Sequence, residues 1–316
     1  GLHQPWVGFD AHLKKEVPEL PDHTVQHCDP SRPMTYCNVT GNRRRWEIMI
    51  MPGDDEEQLV KPETLWKLVS NWITPEQAEI ERAVIYTFHS VIAQTWRKGR
   101  LFIAGDAAHQ TPPFLGQGMC AAIRDASNLA WKLEAVLRGR FDEGLLDTYE
   151  SERGPHVHAF IDLAVKLGGI IQTTDADAAR ERDAKFKKGQ PEIFQFPTPQ
   201  LGPGFWQGKN APVAQIFPQP MLSNGRLLDV ELGLNFAVIG FWDVLNDVNE
   251  VTRERWLSHG VVLVPASSSE IQAWLLQNHA RAVMVRPDRY ILGTAQSSAE
   301  LDSISALLSN LVVLAH

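Results

Sequence analysis

Apolar and polar residues alternate with a period of two through much of the first hundred positions. In the segment 43–53, Trp46, Ile48 and Ile50 fall on one face and Arg45, Glu47 and Met49 on the other, a half-buried strand that Pro52-Gly53 ends. The stretch 82–96 reads as one long strand or two short ones. Between them a short helix is expected over Pro62–Trp72, with another after Thr74-Pro75 that uses Thr74 as N-cap. From Gln117 the period becomes helical. Ile123, Ala126, Ala130, Leu133 and Leu137 form one stripe, Arg124, Asp125 and Lys132 fall elsewhere, and Gly139 closes the helix. A second helix is expected from about Leu145 to Leu167, broken or kinked at Gly154-Pro155. His156 and His158 lie within it two positions apart, hence on different faces, which is the wrong spacing for a shared metal.

Residues 172–220 change character: charged helical sequence to Lys188 gives way to Pro, Gly and Gln, the pattern of an interdomain linker. A compact α/β pattern follows. Segments 235–243 and 261–266 read as buried strands, and 282–295 as a hairpin turning at Pro287-Asp288. The last helix carries a capping-box spacing, Ser297 to Glu300, and an apolar face of Leu301, Ile304, Leu308 and Leu311. Four segments are therefore expected: 1–98 as a β-rich domain, 99–170 as a strand–loop–helix segment with its following helix, 171–209 as linker, and 210–316 as a terminal α/β domain.

Composition narrows the class of partner. With 316 residues, 44% of them apolar and 22% charged, the chain has apolar material for sizeable cores. The net charge of −8 and the lack of a basic stripe argue against nucleic acid. The one basic run, Arg43-Arg44-Arg45, reads as a solvated strand edge or a contact to a small anion. No apolar run approaches the roughly 20 residues that span a bilayer, and no signal-peptide pattern opens the chain, so no membrane partner is expected. Cys28, Cys37 and Cys120 form neither a CxxC pair nor an even framework, which fits a cytoplasmic location. His23, His27, Cys28 and Cys37 match no zinc spacing, and no metal site is expected.

The most informative stretch is GDAAHQTPPFLGQGM, residues 105–119. A strand, Leu101–Ala104, runs into Gly105-Asp106, where a carboxylate can accept hydrogen bonds from sugar-like hydroxyls. Pro112 and Pro113 stiffen the crossing and offer an apolar surface to a flat ring. Gly116 and Gly118 let backbone approach a ligand closely. The N–H groups of Gln117, Gly118 and Met119 open a helix, whose positive end favours a partner that carries or develops negative charge.

Residues 99–133 together resemble the second flavin-binding segment of the FAD-dependent aromatic-ring hydroxylases, the class A flavoprotein monooxygenases. The segments 28–34, 49–59, 145–153, 235–241 and 283–290 extend the resemblance over most of the chain. They are nearest to the branch acting on 3-(3-hydroxyphenyl)propionate and similar phenolic acids. The resemblance implies an α/β chain with α+β elements: part of an FAD/NAD(P)-binding monooxygenase fold, with a β-sheet substrate domain and a thioredoxin-like carboxyl-terminal domain. That domain is expected to be redox-inert, because 210–316 contains no cysteine. It further implies FAD as cofactor and NADPH or NADH as electron donor. Reduced flavin and O2 form a hydroperoxide that delivers one oxygen to a phenolic ring.

By the same resemblance Gly105, Asp106 and Ala107 meet the ribityl chain, and Pro112, Pro113, Gly116, Gln117, Gly118 and Met119 hold the isoalloxazine. Phe88, His89 and Phe114 are candidates for the substrate pocket, and His109 for bracing the loop. No acid or base catalyst is assigned. The expected partners are a small aromatic substrate and O2, and a homodimer is compatible with the sequence. The family's opening GxGxxG unit and its later Asp-Gly segment have no counterpart here, so residue 1 is expected to correspond to a position well inside the family's chain. Two rival readings are a nicotinamide-dependent dehydrogenase, disfavoured by the lack of a dinucleotide fingerprint, and a non-catalytic remnant whose thioredoxin-like end serves as an interaction module.

Overall fold

The computed structural model describes residues 3–189 and 200–309. It divides into two compact units: Gly1–Ile92 with His109–Gly118 and Phe160–Gln195, and Ala93–Ala108 with Met119–Ala159 and Phe196–His316.

The first unit is built on one five-stranded antiparallel sheet. Its strands are β1 (His3–Leu13), β2 (Val25–His27), β3 (Met34–Asn38), β4 (Arg43–Met49) and β5 (Ala78–His89), in the order β2-β3-β4-β1-β5. The alternation expected in β4 holds: Trp46, Ile48 and Ile50 are buried with Val7, Phe9 and Tyr36 on one face of the sheet. Helices α1 (Glu56–Leu59) and α2 (Pro62–Leu68) supply Leu59 and Leu65 to the same core. The second helix expected after Thr74 is only a turn. Thr74 accepts from the Gln77 and Ala78 amides at 3.0 and 3.1 Å, and Ala78 already pairs with Leu13, so recruitment into the sheet ends the helical path. Arg45 is no free edge cation. It grips the buried Asp10 through two hydrogen bonds of 2.6 and 3.0 Å, and Arg82 grips the same carboxylate from β5.

Four two-residue strands follow: β6 (Val91–Ile92), β7 (Arg97–Lys98), β8 (Leu101–Phe102) and β9 (His109–Gln110), pairing as β6 with β9 and β7 with β8. The strand expected over Leu101–Ala104 is thus shorter than its apolar run. Leu101 is 75% exposed, because among the described residues β8 pairs only with Arg97–Lys98.

Two long helices come next, α3 (Gly118–Leu137) and α4 (Gly144–Ile171), then α5 (Ala176–Lys187), which matches the charged helical stretch before the linker. Pro155 sits inside α4 without ending it. The N–H that Pro155 lacks would have gone to the Ser151 carbonyl, and Gly202 packs where any Cβ would collide with that oxygen.

The second unit also holds the terminal α/β region: α6 (Leu228–Leu232), β10 (Ala237–Gly240), α7 (Trp242–Asn246), α8 (Glu250–Ser258), β11 (Val262–Pro265), α9 (Ser269–Gln277), β12 (Ala282–Val285), β13 (Ile291–Ala295) and α10 (Ser298–Ser305). The sheet order is β11-β10-β12-β13, with β10 and β11 parallel and the other neighbours antiparallel, the arrangement of a thioredoxin-like sheet. Ser297 caps α10 by accepting from the Glu300 amide at 3.3 Å, and the Glu300 carboxylate accepts from the Gln296 amide at 2.7 Å. The capping box is therefore shifted by one residue on its return bond. Leu301, Ile304 and Leu308 are buried as expected, and Leu311 lies outside the described residues.

The sequence pattern inverts on α3. The stripe expected to face a core is largely exposed, with Ile123 at 59% and Leu137 at 77%, whereas Asp125, Asn128 and Lys132 are fully buried. Polar groups enter a core only with partners, and these have them. Lys132 Nζ donates to Glu152 of α4 at 2.8 Å, and Asn128 bridges Glu152 and Asp288 at 2.8 and 3.1 Å. Arg286 donates to both Glu152 oxygens at 2.8 Å and to both Asp288 oxygens at 3.0 and 2.6 Å. Two cations and two carboxylates balance. The hairpin turn expected at Pro287-Asp288 thus tethers the terminal sheet to α3 and α4.

Burial alone would raise the Glu152 pKa, but the charges of Arg286 and Lys132 and their hydrogen bonds outweigh it and hold the group at about 2. Burial pulls Lys132 down to about 8 against the opposing pull of Glu152. Because the folded pKa of Glu152 lies below its ordinary 4.5, its contribution is complete above that pH and fades as pH falls toward 2. Glu152→Ala, which strands the buried Lys132 and leaves Arg286 with Asp288 alone, should lower unfolding free energy by about 3–5 kcal/mol. Breaking the exposed Lys185–Glu181 pair, 3.1 Å long, should cost under about 0.5 kcal/mol. Denaturant titrations of both variants at neutral pH check the contrast.

Candidate functional site

The Gly105-Asp106 segment is fixed from behind. Ala93 donates to the Ala108 carbonyl at 2.7 Å, Ile103 to Trp96 at 3.0 Å, and the Tyr149 hydroxyl to the Ile103 carbonyl at 3.1 Å. At the end of this path Gly105, Asp106 and Ala107 form one 3-10 turn. Gly105 is buried with φ at +57°, and a Cβ there would lie 3.0 Å from that of Ala122 in α3. Only glycine suits both the backbone angle and the close approach.

Its amide donates to the buried Asp125 carboxylate at 3.1 Å, whose other oxygen takes the Arg153 Nε at 2.8 Å. Arg153 also donates to His156 Nδ1 at 3.0 Å, and more weakly to the Ala121 carbonyl at 3.4 Å. A fully buried ion pair between α3 and α4 thus holds the turn, while Asp106 and Ala107 stay exposed.

The loop residues from Pro112 to Gly118 belong to the first unit, and Met119 to the second. Pro112 is buried and starts a 3-10 turn, Pro113–Leu115, that Gly116 closes in the left-handed region. α3 begins two residues later at Gly118. A Cβ at Gly116 or at Gly118 would meet nothing within 4 Å, so backbone there faces open space. Gln117 is half-buried, and Met119 is 74% exposed. His109 is buried in the ladder with Ile92, consistent with bracing.

Two of the three candidate substrate residues come together. Phe88, 8% exposed, and Phe114 pack edge to face at 5.9 Å, and both meet the fully buried Trp6, at 5.6 and 6.0 Å. Gly168 makes room, since a Cβ there would fall 2.6 Å from the Phe114 ring. His89 follows Phe88 on β5, so strand alternation places it on the opposite face.

Sequence reasoning missed Trp6, Tyr86, Asp125 and Arg153. Asp125 was the most legible of these, as the nearer to the motif of the two acids in its helix. Arg153 lies 28 residues further along the chain, with no local signal.

Comparison with known proteins follows this geometry. The sequence profile of the FAD binding domain family matches residues 6–164. A probable NADH-specific resorcinol 4-hydroxylase of Rhodococcus jostii (strain RHA1) is 35% identical over 96% of this chain and 60% of its own length. A 3-(3-hydroxy-phenyl)propionate/3-hydroxycinnamic acid hydroxylase of Escherichia coli O157:H7 (strain EC4115 / EHEC) is 35% identical over 86% of the chain and 56% of its own length. The chain therefore spans less than two thirds of either relative. Among solved structures, aklavinone-11 hydroxylase with FAD and aklavinone superimposes with a TM-score of 0.76 at 20% identity, over 98% of this chain and 63% of that one. The OxyS anhydrotetracycline hydroxylase from Streptomyces rimosus gives 0.71 at 21% identity, over 99% and 65%. These two share the fold.

Gly105→Ala should cost about 1–2 kcal/mol for the left-handed backbone alone, with a further loss from the Ala122 contact. Adding Ala122→Gly should recover only the second part. Chemical denaturation of the single and double variants separates the two; full recovery by Ala122→Gly would show that the backbone angle carries no cost.

Proposed function

This chain belongs to the FAD binding domain family, and on that premise we propose that it serves in the hydroxylation of a phenolic ring by an FAD-dependent monooxygenase. The observation that carries the reading is the Gly105 turn. A buried ion pair fixes its backbone and leaves the Asp106 carboxylate exposed, as a group that binds a polyol chain must be. The residues suit the cofactor. Asp106 would hold a ribityl hydroxyl, with Gly105 and Ala107 shaping the turn around it. Pro112, Pro113, Gly116, Gln117, Gly118 and Met119 would hold the flat ring, the open space over Gly116 and Gly118 leaving room for it and the N–H groups at the start of α3 favouring its electron-rich edge.

FAD, when bound, supplies the redox chemistry that uses electrons from NADH or NADPH to activate O2. The reaction balances as phenol, O2, NAD(P)H and one proton giving the hydroxylated phenol, water and NAD(P)+. The chain's own share is to bind and orient the ring and to exclude water. In the Trp6–Phe88–Phe114 cluster it is the half-buried Phe114 that would meet a single ring, with Trp6 and Phe88 packed behind it. By their names both relatives act on small phenols, one with a carboxylate and one without, and the proposed substrate class is a small phenol: either 3-(3-hydroxyphenyl)propionate or a similar phenolic acid, or an uncharged phenol such as resorcinol.

The test is O2 uptake and NAD(P)H oxidation by the FAD-loaded protein with a panel of simple phenols. Hydroxylated product in step with O2 consumed is the expected result; oxidation of NAD(P)H with no phenol altered would overturn the reading. Asp106→Ala should weaken FAD binding about 10- to 100-fold, as loss of a charge-assisted hydrogen bond worth about 1.5–3 kcal/mol implies. Because Asp106 is exposed, stability of the FAD-free protein should change by under about 0.5 kcal/mol. Fluorescence titration with FAD and a melting curve without it check the pair of outcomes.

A further inference from the structure

The aromatic face of the first unit's sheet has a polar end that neither the sequence motifs nor the comparisons assign. Cross-strand register sets three rows on this face. Trp6 lies between Met49 and Tyr86, then Gly8 between Glu47 and Val84, then Asp10 between Arg45 and Arg82. Successive rows stand about 7 Å apart along the strand. Gly8 contributes no side chain, and the Tyr86 ring occupies that space. A Cβ on Gly8 would lie 2.5 Å from the ring and 2.8 Å from its hydroxyl. Laid over Gly8, Tyr86 donates to the Glu47 carboxylate at 2.9 Å. Both side chains are half-buried, and Tyr86 and Phe88 pack at 5.2 Å, so the pair adjoins the Trp6–Phe88–Phe114 cluster.

We propose that Tyr86, oriented by Glu47, is the specificity-determining residue of this face, and that it selects an uncharged phenol over an aryl carboxylate. The inference rests on the hydroxylase reading above. Its logic is one of donors and acceptors. Tyr86 has one hydrogen, which Glu47 takes, so only its oxygen lone pairs remain for a ligand. A phenol hydroxyl donates to them, whereas a carboxylate only accepts. A ligand carboxylate approaching from the aromatic row also meets the Glu47 charge before either arginine. Arg45 and Arg82 stand one row further, and both are engaged by Asp10. Burial, and then the adjacent Glu47 charge, raise the Tyr86 pKa, so the phenol keeps the proton that it donates to Glu47.

The experiment is titration calorimetry of the oxidised FAD-loaded protein, without NAD(P)H, using resorcinol and 3-phenylpropionate, an aryl carboxylate with no hydroxyl, as probes. Resorcinol should bind at least tenfold more tightly. Tyr86→Phe should weaken resorcinol about tenfold, and Gly8→Ala should do the same by displacing a ring that is still present. Glu47→Gln should narrow the preference at least fivefold, chiefly by admitting the acid. Equal or tighter binding of the acid, left unchanged by Glu47→Gln, would overturn the inference while leaving the hydroxylase reading intact. Failure of both probes to bind, with no phenol hydroxylated, would overturn both.

Discussion

The ion pair between Asp125 and Arg153 is the constraint on which the candidate site depends. It joins α3 to α4 inside the second unit and accepts the Gly105 amide as a third partner. A carboxylate and a guanidinium taken out of water cost several kcal/mol each unless their geometry is good and their remaining polar atoms are satisfied. That requirement gives the arrangement its rigidity. Any shift of the turn would leave an Asp125 oxygen unpaired, and the penalty keeps Gly105 against Ala122. Asp106 is thereby held exposed by groups it does not touch.

A second buried charge cluster applies the same logic further along the two helices. Glu152 is one turn of α4 from His156 and takes bonds from Lys132, Asn128, Arg286 and the Phe205 amide, the last at 2.6 Å. The terminal thioredoxin-like sheet is thus tied by its β12–β13 turn to the helices that carry the first pair. In the first unit, Asp10 between Arg45 and Arg82 does comparable work on the sheet face where the aromatic cluster lies. At each site a buried carboxylate draws in cationic side chains from strands or helices far apart in sequence, and this fixes register as well as charge.

Much of this was legible in the chain. The alternation of Trp46, Ile48 and Ile50 placed β4 correctly, and the buried runs at 235–243, 261–266 and 282–295 became the terminal sheet. The Gly-Asp and Gly-x-Gly string marked the turn and the start of α3. Legibility failed where burial was decided by charge pairing. Asp125 and Lys132 look solvated on any helical projection, because their partners Arg153, Glu152, Arg286 and Asp288 are distant in sequence. With those groups inside, Ile123 and Leu137 take the exposed face. The Gly8–Tyr86–Glu47 arrangement was equally hidden, since the absence of a Cβ matters only once register sets Tyr86 beside it. Leu101 illustrates a simpler limit: an apolar run does not become a longer strand without a partner to pair with.

Native-state amide exchange at Gly105 tests the central claim most directly. If the buried pair fixes the turn, the Gly105 amide should exchange only through global unfolding, as slowly as core amides of α3, and Asp125→Asn should accelerate it while leaving those core amides nearly unchanged. Exchange at the rate of an exposed turn in the unsubstituted protein would contradict the account, because the turn would then open freely without breaking the pair.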